Sequence, residues 1–336
     1  MFMQYPRHAA VLAGVGGWLP PRVVDNHELS QRLDTSDEWI RTRTGIRQRH
    51  IAAPGESTVD MAVRAGGRAI RSAGMTEVDA LVLATATPDQ VCPGSAPQVA
   101  SGLGLGGIFA LDVNAVCSGF VYALATAAGL IATGVAGRVL VIGSDTFSTL
   151  VHPDDRSTVP IFGDGAGAVV LRAGEPDEPG ALGPFDLHSE GELADLLVVP
   201  AGGSKQRTSA DPHDYFLSMQ GTRVFRLANA RMAESTRAVL DQAGLSVHEV
   251  DRFVGHQANV RILQAVAKQL GLPPERLVVN IERTGNTSAA SIPLALADAC
   301  CDGSLRSGHL VVLSAFGAGL TWGSTVLRWP DIKLSE

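Results

Sequence analysis

Apolar and polar positions divide this chain into short strand-like runs and longer helix-like stretches. Residues 11–17, 80–86, 108–113, 139–144 and 166–171 are compact apolar runs of strand length. Between them, residues 58–73 and 119–133 read as helices. Such alternation predicts an α/β fold in which helices cover parallel sheets. Residues 173–186, AGEPDEPGALGPFD, have the Pro, Gly and acidic content of a boundary. Beyond it the pattern restarts. A strong helix over 223–243 is followed by a strand at 252–255, a helix at 260–270 and a strand at 277–281. A Gly-Asn turn, a helix at 290–301 and strands at 310–314 and 321–327 complete it. The two halves can be laid over each other, since in each a strand runs through a polar turn into an apolar helix. Cys117 lies in the first such turn and Asn286 in the second. An internal duplication with both turns facing one cleft is the expected arrangement. Residues 202–214, GGSKQRTSADPHD, are polar and read as a mobile surface loop.

Composition narrows the class. The 336 residues are 45% hydrophobic and 18% charged, enough apolar material for a large core. At roughly 150 residues per domain the length suggests two domains or one large one. A net charge of −7 argues against a protein that coats nucleic acid or an anionic membrane. The four cysteines, at 92, 117, 300 and 301, form no CxxC pair and no zinc spacing, and fit reduced thiols in a cytoplasmic protein. The start, MFMQYPRHAAVLAGVGG, lacks the pattern of a signal peptide. No charged residue lies between Asp112 and Arg138, a run long enough to cross a bilayer. Its Ala, Gly, Ser and Thr content fits better with a strand end and a helix buried in a large core.

Three polar turns carry candidate chemistry. Cys117, in DVNAVCSGF, stands where a strand gives way to a helix. The positive end of a helix macrodipole favours thiolate, the nucleophilic form, although a cysteine there can equally be a small buried apolar residue. His256, in FVGHQANVR, follows a strand, where α/β sites gather. Asn286, in RTGNTSAAS, could be plain turn and cap chemistry. Together a thiol, an imidazole and a carboxamide suit acyl transfer: the thiol takes the acyl group, and the other two donate to an oxyanion. Papain-like proteases share the order but need a different flank around the Cys.

The glycine patterns sort by position. GLGLGG (102–107) and FGDGAGAVVL (162–171) lead into strands and are poorly placed as phosphate cradles. AFGAGLTWG (315–323) follows a strand and permits the close approach that an oxyanion-binding N–H needs, or a tight turn. RTRTGIRQRH (41–50) gathers Arg41, Arg43, Arg47 and Arg49 just after Trp39. Guanidinium forks bind phosphates and an indole stacks on adenine, so the cluster suits a ligand such as coenzyme A, or a solvated loop paired with Asp37 and Glu38.

DEWIRTRTGIRQRHIA (37–52), VCSGF (116–120), RSTVPIFGDGAGAVV (156–170), GHQANVRI (255–262), GNTSAASIP (285–293) and FGAGLTWG (316–323) resemble, in order, the motifs of β-ketoacyl-acyl carrier protein synthase III. The resemblance implies a thiolase fold with duplicated halves in an αβαβα five-layer sandwich, here 1–172 and 173–336, forming a homodimer. It implies that Cys117 takes an acyl group from acyl-CoA. Malonyl-acyl carrier protein then loses CO2, and His256 and Asn286 hold the enolate oxygen while it condenses. The backbone N–H groups of Cys117 and Ala318 would form a second oxyanion hole. Trp39, Arg43 and Arg156 would bind CoA. Arg226, Arg261 and Lys268 would make a basic docking face for an acidic carrier protein. Cys92, Phe162 and Met219 would belong to the acyl pocket, Cys92 standing where many members carry a Phe that reaches into the partner subunit. A smaller residue there points to a starter larger than acetyl. The same resemblance implies no permanently bound cofactor, no metal, no nucleic acid and no membrane. Three rivals remain at this stage: an acyltransferase on the same fold that does not decarboxylate, a non-catalytic starter-gating subunit, and a cysteine hydrolase that turns acyl-CoA over to free acid.

Overall fold

The computed structural model describes residues 8–333. In chain order the strands are β1 (Ala9–Trp18), β2 (Arg22–Asp25), β3 (Gln48–Ile51), β4 (Ala80–Ala84), β5 (Phe109–Val113), β6 (Arg138–Asp145) and β7 (Gly165–Gly174). Then come β8 (Leu182–Ser189), β9 (Leu197–Val198), β10 (Ser218–Met219), β11 (Arg252–Gly255), β12 (Leu310–Gly317) and β13 (Thr321–Arg328). The helices are α1 (Asn26–Ser30), α2 (Asp37–Thr44), α3 (Thr58–Ser72), α4 (Ala96–Gly102) and α5 (Gly119–Ala132). They continue with α6 (Gly221–Gln242), α7 (Val260–Leu270), α8 (Ile281–Thr284) and α9 (Ser291–Cys301).

Two mixed sheets form the frame. The first runs β1-β7-β6-β4-β5, with β4 parallel to both β5 and β6. The second runs β11-β12-β13-β8, with β11 and β12 parallel. The central strands are apolar on both faces because each face meets a different layer. Val139 and Val141 of β6 enter one core cluster, and Leu140 and Ile142 enter another. In β12, Val311, Leu313 and Ala315 face the first of these clusters, while Leu310, Val312 and Phe316 face a third. This period of two explains why the sequence shows solid apolar runs.

The shared cluster holds α5 and α9 between the sheets, with Phe120, Leu124, Ala127, Ile292 and Leu296 all buried. Helices α3 and α4 cover the outer face of the first sheet, and α6 and α7 that of the second. The order of layers is therefore helix, sheet, helix, sheet, helix, the five-layer α/β arrangement expected. The uncharged run ends up as the last residue of β5, the turn after it and the 14-residue α5, which packs between the two sheets. Among the described residues no helix is long and apolar enough to cross a membrane.

Two expectations need correction. Residues 277–281 do not form a strand. Leu277 makes one isolated bridge to Phe253, and α8 then begins at Ile281. The Gln257 side chain takes over the ladder: Nε2 donates to the Gly255 and Val278 carbonyls, and Oε1 accepts from Asn280 N–H. The boundary-like stretch 173–186 is strand at both ends. β7 runs to Gly174 and β8 starts at Leu182, leaving a short connection that carries the chain from one sheet to the other. Residues 202–214 are a largely exposed polar loop, folded on itself through Asp214, which accepts from Ser209 Oγ and Gln206 Nε2.

Candidate active site

Cys117 sits in a single 3-10 turn, Val116–Ser118, between β5 and α5. The turn is strained: Val116, a β-branched residue, has φ +46°, a conformation costing about 1–3 kcal/mol. It is held in place by β12, which runs against it at Gly317. A Cβ at Gly317 would stand 2.8 Å from Ser118 N and 2.9 Å from Cys117 N. Only a residue without a side chain lets the strand approach that closely. The thiol is 5% exposed, and burial pushes it up to about 12, with the nearby Asp145 carboxylate adding to the push. The expected lowering by the helix terminus is thus outweighed by desolvation, and the resting group is a thiol.

His256 follows the last residue of β11, and its N–H donates to the Ser314 carbonyl of β12. The ring is buried, and Nδ1 lies 2.6 Å from Ser291 Oγ, at the start of α9. Ser291 Oγ also accepts from Gln257 N–H at 3.3 Å. Burial pushes the imidazole down to about 3, so it is neutral at ordinary pH.

Asn286 follows α8 and is stitched across to the first half. Its N–H donates to the Ile161 carbonyl at 2.9 Å, and its own carbonyl accepts from Gly163 N–H at 3.0 Å. Its Oδ1 accepts from Ser288 N–H at 2.9 Å, which leaves the amide NH2 for other partners. Ser288 is the second strained residue, at φ +51°.

One cavity of about 470 Å³ brings these three side chains together. Its apolar lining includes Phe147, Phe162, Leu197, Met219 and Phe316. Phe147 stacks on Phe162 with ring centroids 4.4 Å apart. Trp39, Arg43, Phe225, Arg226, Asn259 and Arg261 line it too. Arg43 and Arg156 both lie over the Trp39 ring, at 5.5 and 5.6 Å, and Arg156 also pairs with Asp34 at 2.6 Å. Arg261 lies over Phe225.

Other expected residues stand outside this wall. Cys92 is exposed and does not line the cavity of its own chain. Lys268 is in the last turn of α7, two turns beyond Arg261. Ala318 follows β12 directly, and its carbonyl accepts from Thr321 Oγ1. The four-arginine cluster does not act as one group, because Arg49 is 1% exposed. Its guanidinium is spent on Val24 O, Asn26 Oδ1 and Pro160 O, out of reach of any ligand.

The sequence reading missed Phe147, Leu197 and Ser291. Ser291 lies inside the quoted GNTSAAS motif, but only the fold shows that its hydroxyl meets a ring 35 positions earlier. Among the described residues no group of three or more His, Cys, Asp or Glu is arranged to hold a metal ion.

Comparison with known proteins agrees with this geometry. Residues 111–191 match the family described as 3-oxoacyl-[acyl-carrier-protein] synthase III, and residues 240–329 match its C-terminal counterpart. The chain is 58% identical over 327 residues to β-ketoacyl-[acyl-carrier-protein] synthase III 5 of Streptomyces coelicolor, covering 96% of this chain and 98% of that one. It is 54% identical over 324 residues to β-ketoacyl-[acyl-carrier-protein] synthase III of Pseudomonas aeruginosa, with the same coverage. The crystal structure of 3-oxoacyl-(acyl carrier protein) synthase III from P. aeruginosa PAO1 superposes with a TM-score of 0.92 at 52% identity, over 97% of this chain and 99% of that one. The priming β-ketosynthase of the R1128 polyketide pathway superposes with a TM-score of 0.91 at 36% identity, over 99% of each chain. A thiol, a neutral imidazole and a carboxamide in one cavity of a five-layer α/β fold, with relatives matched over nearly their whole length, place this chain in the β-ketoacyl-acyl carrier protein synthase III family, as a condensing enzyme of that type.

Proposed function

We propose that Cys117 accepts an acyl group from acyl-CoA, and that the enzyme then condenses it with malonyl-acyl carrier protein. The observation that carries this reading is the single cavity shared by Cys117, His256 and Asn286. In the first step the sulfur attacks the thioester carbonyl, the C–S bond to CoA breaks, and the thiol proton leaves with CoA. The backbone N–H groups of Cys117 and Ala318 receive the negative charge on the carbonyl oxygen. In the second step malonyl-carrier protein loses CO2 and its thioester oxygen becomes an enolate oxygen. His256 and Asn286 donate to that oxygen while the enolate carbon attacks the acyl-Cys117 carbonyl; the C–S bond breaks, giving a β-ketoacyl-carrier protein and a thiolate that takes a proton from solvent.

The environment of His256 suits a donor. In this reading Ser291 Oγ, which accepts from Gln257 N–H, gives its own hydrogen to Nδ1, so that the ring hydrogen sits on Nε2. With its pKa pushed down to about 3, the imidazole stays neutral and stabilises the enolate by hydrogen bonding, without giving up a proton.

Trp39, flanked by Arg43 and Arg156, is the adenine and phosphate site of CoA in this reading. Arg226 and Arg261 at the mouth, with Lys268 further along α7, meet the acidic carrier protein. Phe162 and Met219 line the acyl pocket. Cys92, exposed on its own chain, would reach the pocket of a second copy in a homodimer and leave room for a starter larger than acetyl. The first sheet, drawn from residues 9–174, and the second, from 182–328, support taking 1–172 as the half that brings the thiol. The half 173–336 brings the imidazole and the carboxamide. The product would begin a fatty acid or a polyketide chain.

The test is intact mass after mixing with acyl-CoAs from acetyl to octanoyl, branched ones included, followed by CO2 release from malonyl-carrier protein. An acyl adduct absent in Cys117→Ala, discharged together with CO2 release, is expected. An adduct discharged to another acceptor without CO2 would instead indicate simple acyl transfer.

A further inference from the structure

Beneath the cavity lies a charged group that the proposed chemistry leaves unused. Asp145, the last residue of β6, is fully buried. Its Oδ1 accepts from Ala86 N–H at 2.7 Å, Thr85 Oγ1 at 3.1 Å and Thr87 Oγ1 at 3.2 Å. Its Oδ2 accepts from Ala289 N–H at 3.0 Å. The first three donors belong to the segment leaving β4 in the first half. The fourth belongs to the 3-10 turn Ser288–Ala290, three residues beyond Asn286 in the second half. Further hydroxyls surround this carboxylate: Thr58 Oγ1 contacts both Thr87 and Thr146 Oγ1, and Thr146 N–H donates to Thr87 Oγ1.

The seam here is very tight. A Cβ at Gly143, two residues before Asp145, would stand 2.3 Å from the Ala289 carbonyl oxygen. The Asn286 turn therefore rests directly on β6, and one of its amides is anchored by a carboxylate from that strand. The same turn contains Ser288 in its strained left-handed conformation, which persists only where the surroundings over-determine it.

We propose that Asp145 is a positioning residue, whose carboxylate fixes the turn bearing Asn286 against the half bearing Cys117. A buried charge costs desolvation energy, and here it is retained with a donor set that spans both halves. A carboxylate can accept from both sides at once. An isosteric amide cannot: its NH2 would face either Ala289 N–H or the Ala86 N–H and threonine hydroxyls, donor against donor. In the decarboxylation step Asp145 acts through Asn286 and touches no substrate; its charge also bears on the Cys117 thiol, so acyl-adduct formation is read separately, and the proposal rests on Asn286 serving the decarboxylation step.

The test uses the full-length protein as wild type, Asp145→Asn, Asn286→Ala and the double variant. Two steps are read: formation of the Cys117 acyl adduct, and kcat and KM for CO2 release from malonyl-carrier protein. Asp145→Asn should lower kcat for CO2 release about a hundredfold and change KM less than about threefold. The double variant should be no slower than Asn286→Ala alone, since one residue works through the other. Thr87→Val, which removes a single donor from Oδ1, should show the same kcat-only loss at smaller size. It carries the test if Asp145→Asn does not fold. Wild-type CO2 release in Asp145→Asn overturns the proposal, as does a loss confined to KM, or a loss that multiplies with that of Asn286→Ala. Normal CO2 release in Asn286→Ala would overturn the reading of Asn286 itself, a separate and recognisable result.

Discussion

Replacing Gly317 with alanine places a methyl group against the turn that bears Cys117. The new Cβ would lie 2.8 Å from Ser118 N, 2.9 Å from Cys117 N and 3.0 Å from Ala115 O. Ordinary van der Waals contact begins near 3.4 Å, so the shortfalls are 0.6, 0.5 and 0.4 Å. All three neighbours are backbone atoms and none can rotate aside. The turn is already strained at Val116, so it must move as a body or β12 must retreat. Overpacking of this kind costs about 1–3 kcal/mol. A reactive constellation has to be held to about 0.5 Å, and a misplacement of ~1 Å costs on the order of a hundredfold in rate. Gly317→Ala should therefore acylate Cys117 about ten- to a hundredfold more slowly, with a modestly lower melting temperature. Stopped intact-mass measurements with the best wild-type acyl-CoA would give the rate. Wild-type acylation with an unchanged melt would refute the claim that β12 holds the Cys117 turn in place.

Three further outcomes are expected. Ser291→Ala leaves His256 Nδ1 without its partner; stability should fall by about 1–3 kcal/mol, and CO2 release should slow while acyl loading continues. The His256 imidazole is held down at about 3 against 6.5 when unfolded, so acid favours the unfolded chain, which binds the proton. Urea unfolding should show wild type losing stability relative to His256→Ala as pH falls from 6.5 towards 3, at up to about 1.4 kcal/mol per pH unit. Parallel curves for the two proteins would show that the ring is not desolvated. Cys92→Phe should shift the adduct preference towards acetyl-CoA in the intact-mass panel, and an unchanged preference would remove Cys92 from the acyl pocket.

The sequence revealed most where one physical demand acted alone. Strands β4, β6, β7 and β12 are enclosed on both faces, and their apolar runs stand out without any knowledge of partners. The turns at Cys117, His256 and Asn286 were legible because each puts an unusual polar group between a strand or turn and an apolar helix. β8 was hidden by Gly183 and Pro184, which look like a linker. They are tolerated because β8 is an edge strand of its sheet, where a missing N–H donor leaves no ladder bond unmade. The false strand at 277–281 has the right residues, but the side chain of Gln257 satisfies its backbone. Arg49 looked like a ligand-binding arginine and is a buried strut, and Asp145, which no motif singled out, joins the two halves. In each of these cases the deciding partner lies far away in sequence, and no local pattern records it.

The layer formed by α5 and α9 has a consequence for how the protein is made. Phe120, Leu124 and Ile131 on one helix, and Ile292 and Leu296 on the other, share a single cluster with strands of both sheets. If 1–172 or 173–336 were synthesised alone, each would carry an apolar helix with bare flanks and no opposite sheet to cover it. Each half keeps a cluster of its own on the outer face of its sheet, but the inner face of each sheet is closed only by the layer the two halves share, so the halves should unfold together in one cooperative transition. During synthesis the first half must wait, incompletely closed, for the second to emerge. Cys117 lies at the start of that waiting helix. The cavity around the thiol is completed only when the segments bearing His256 and Asn286 arrive, so the proposed site and the fold are completed in the same event.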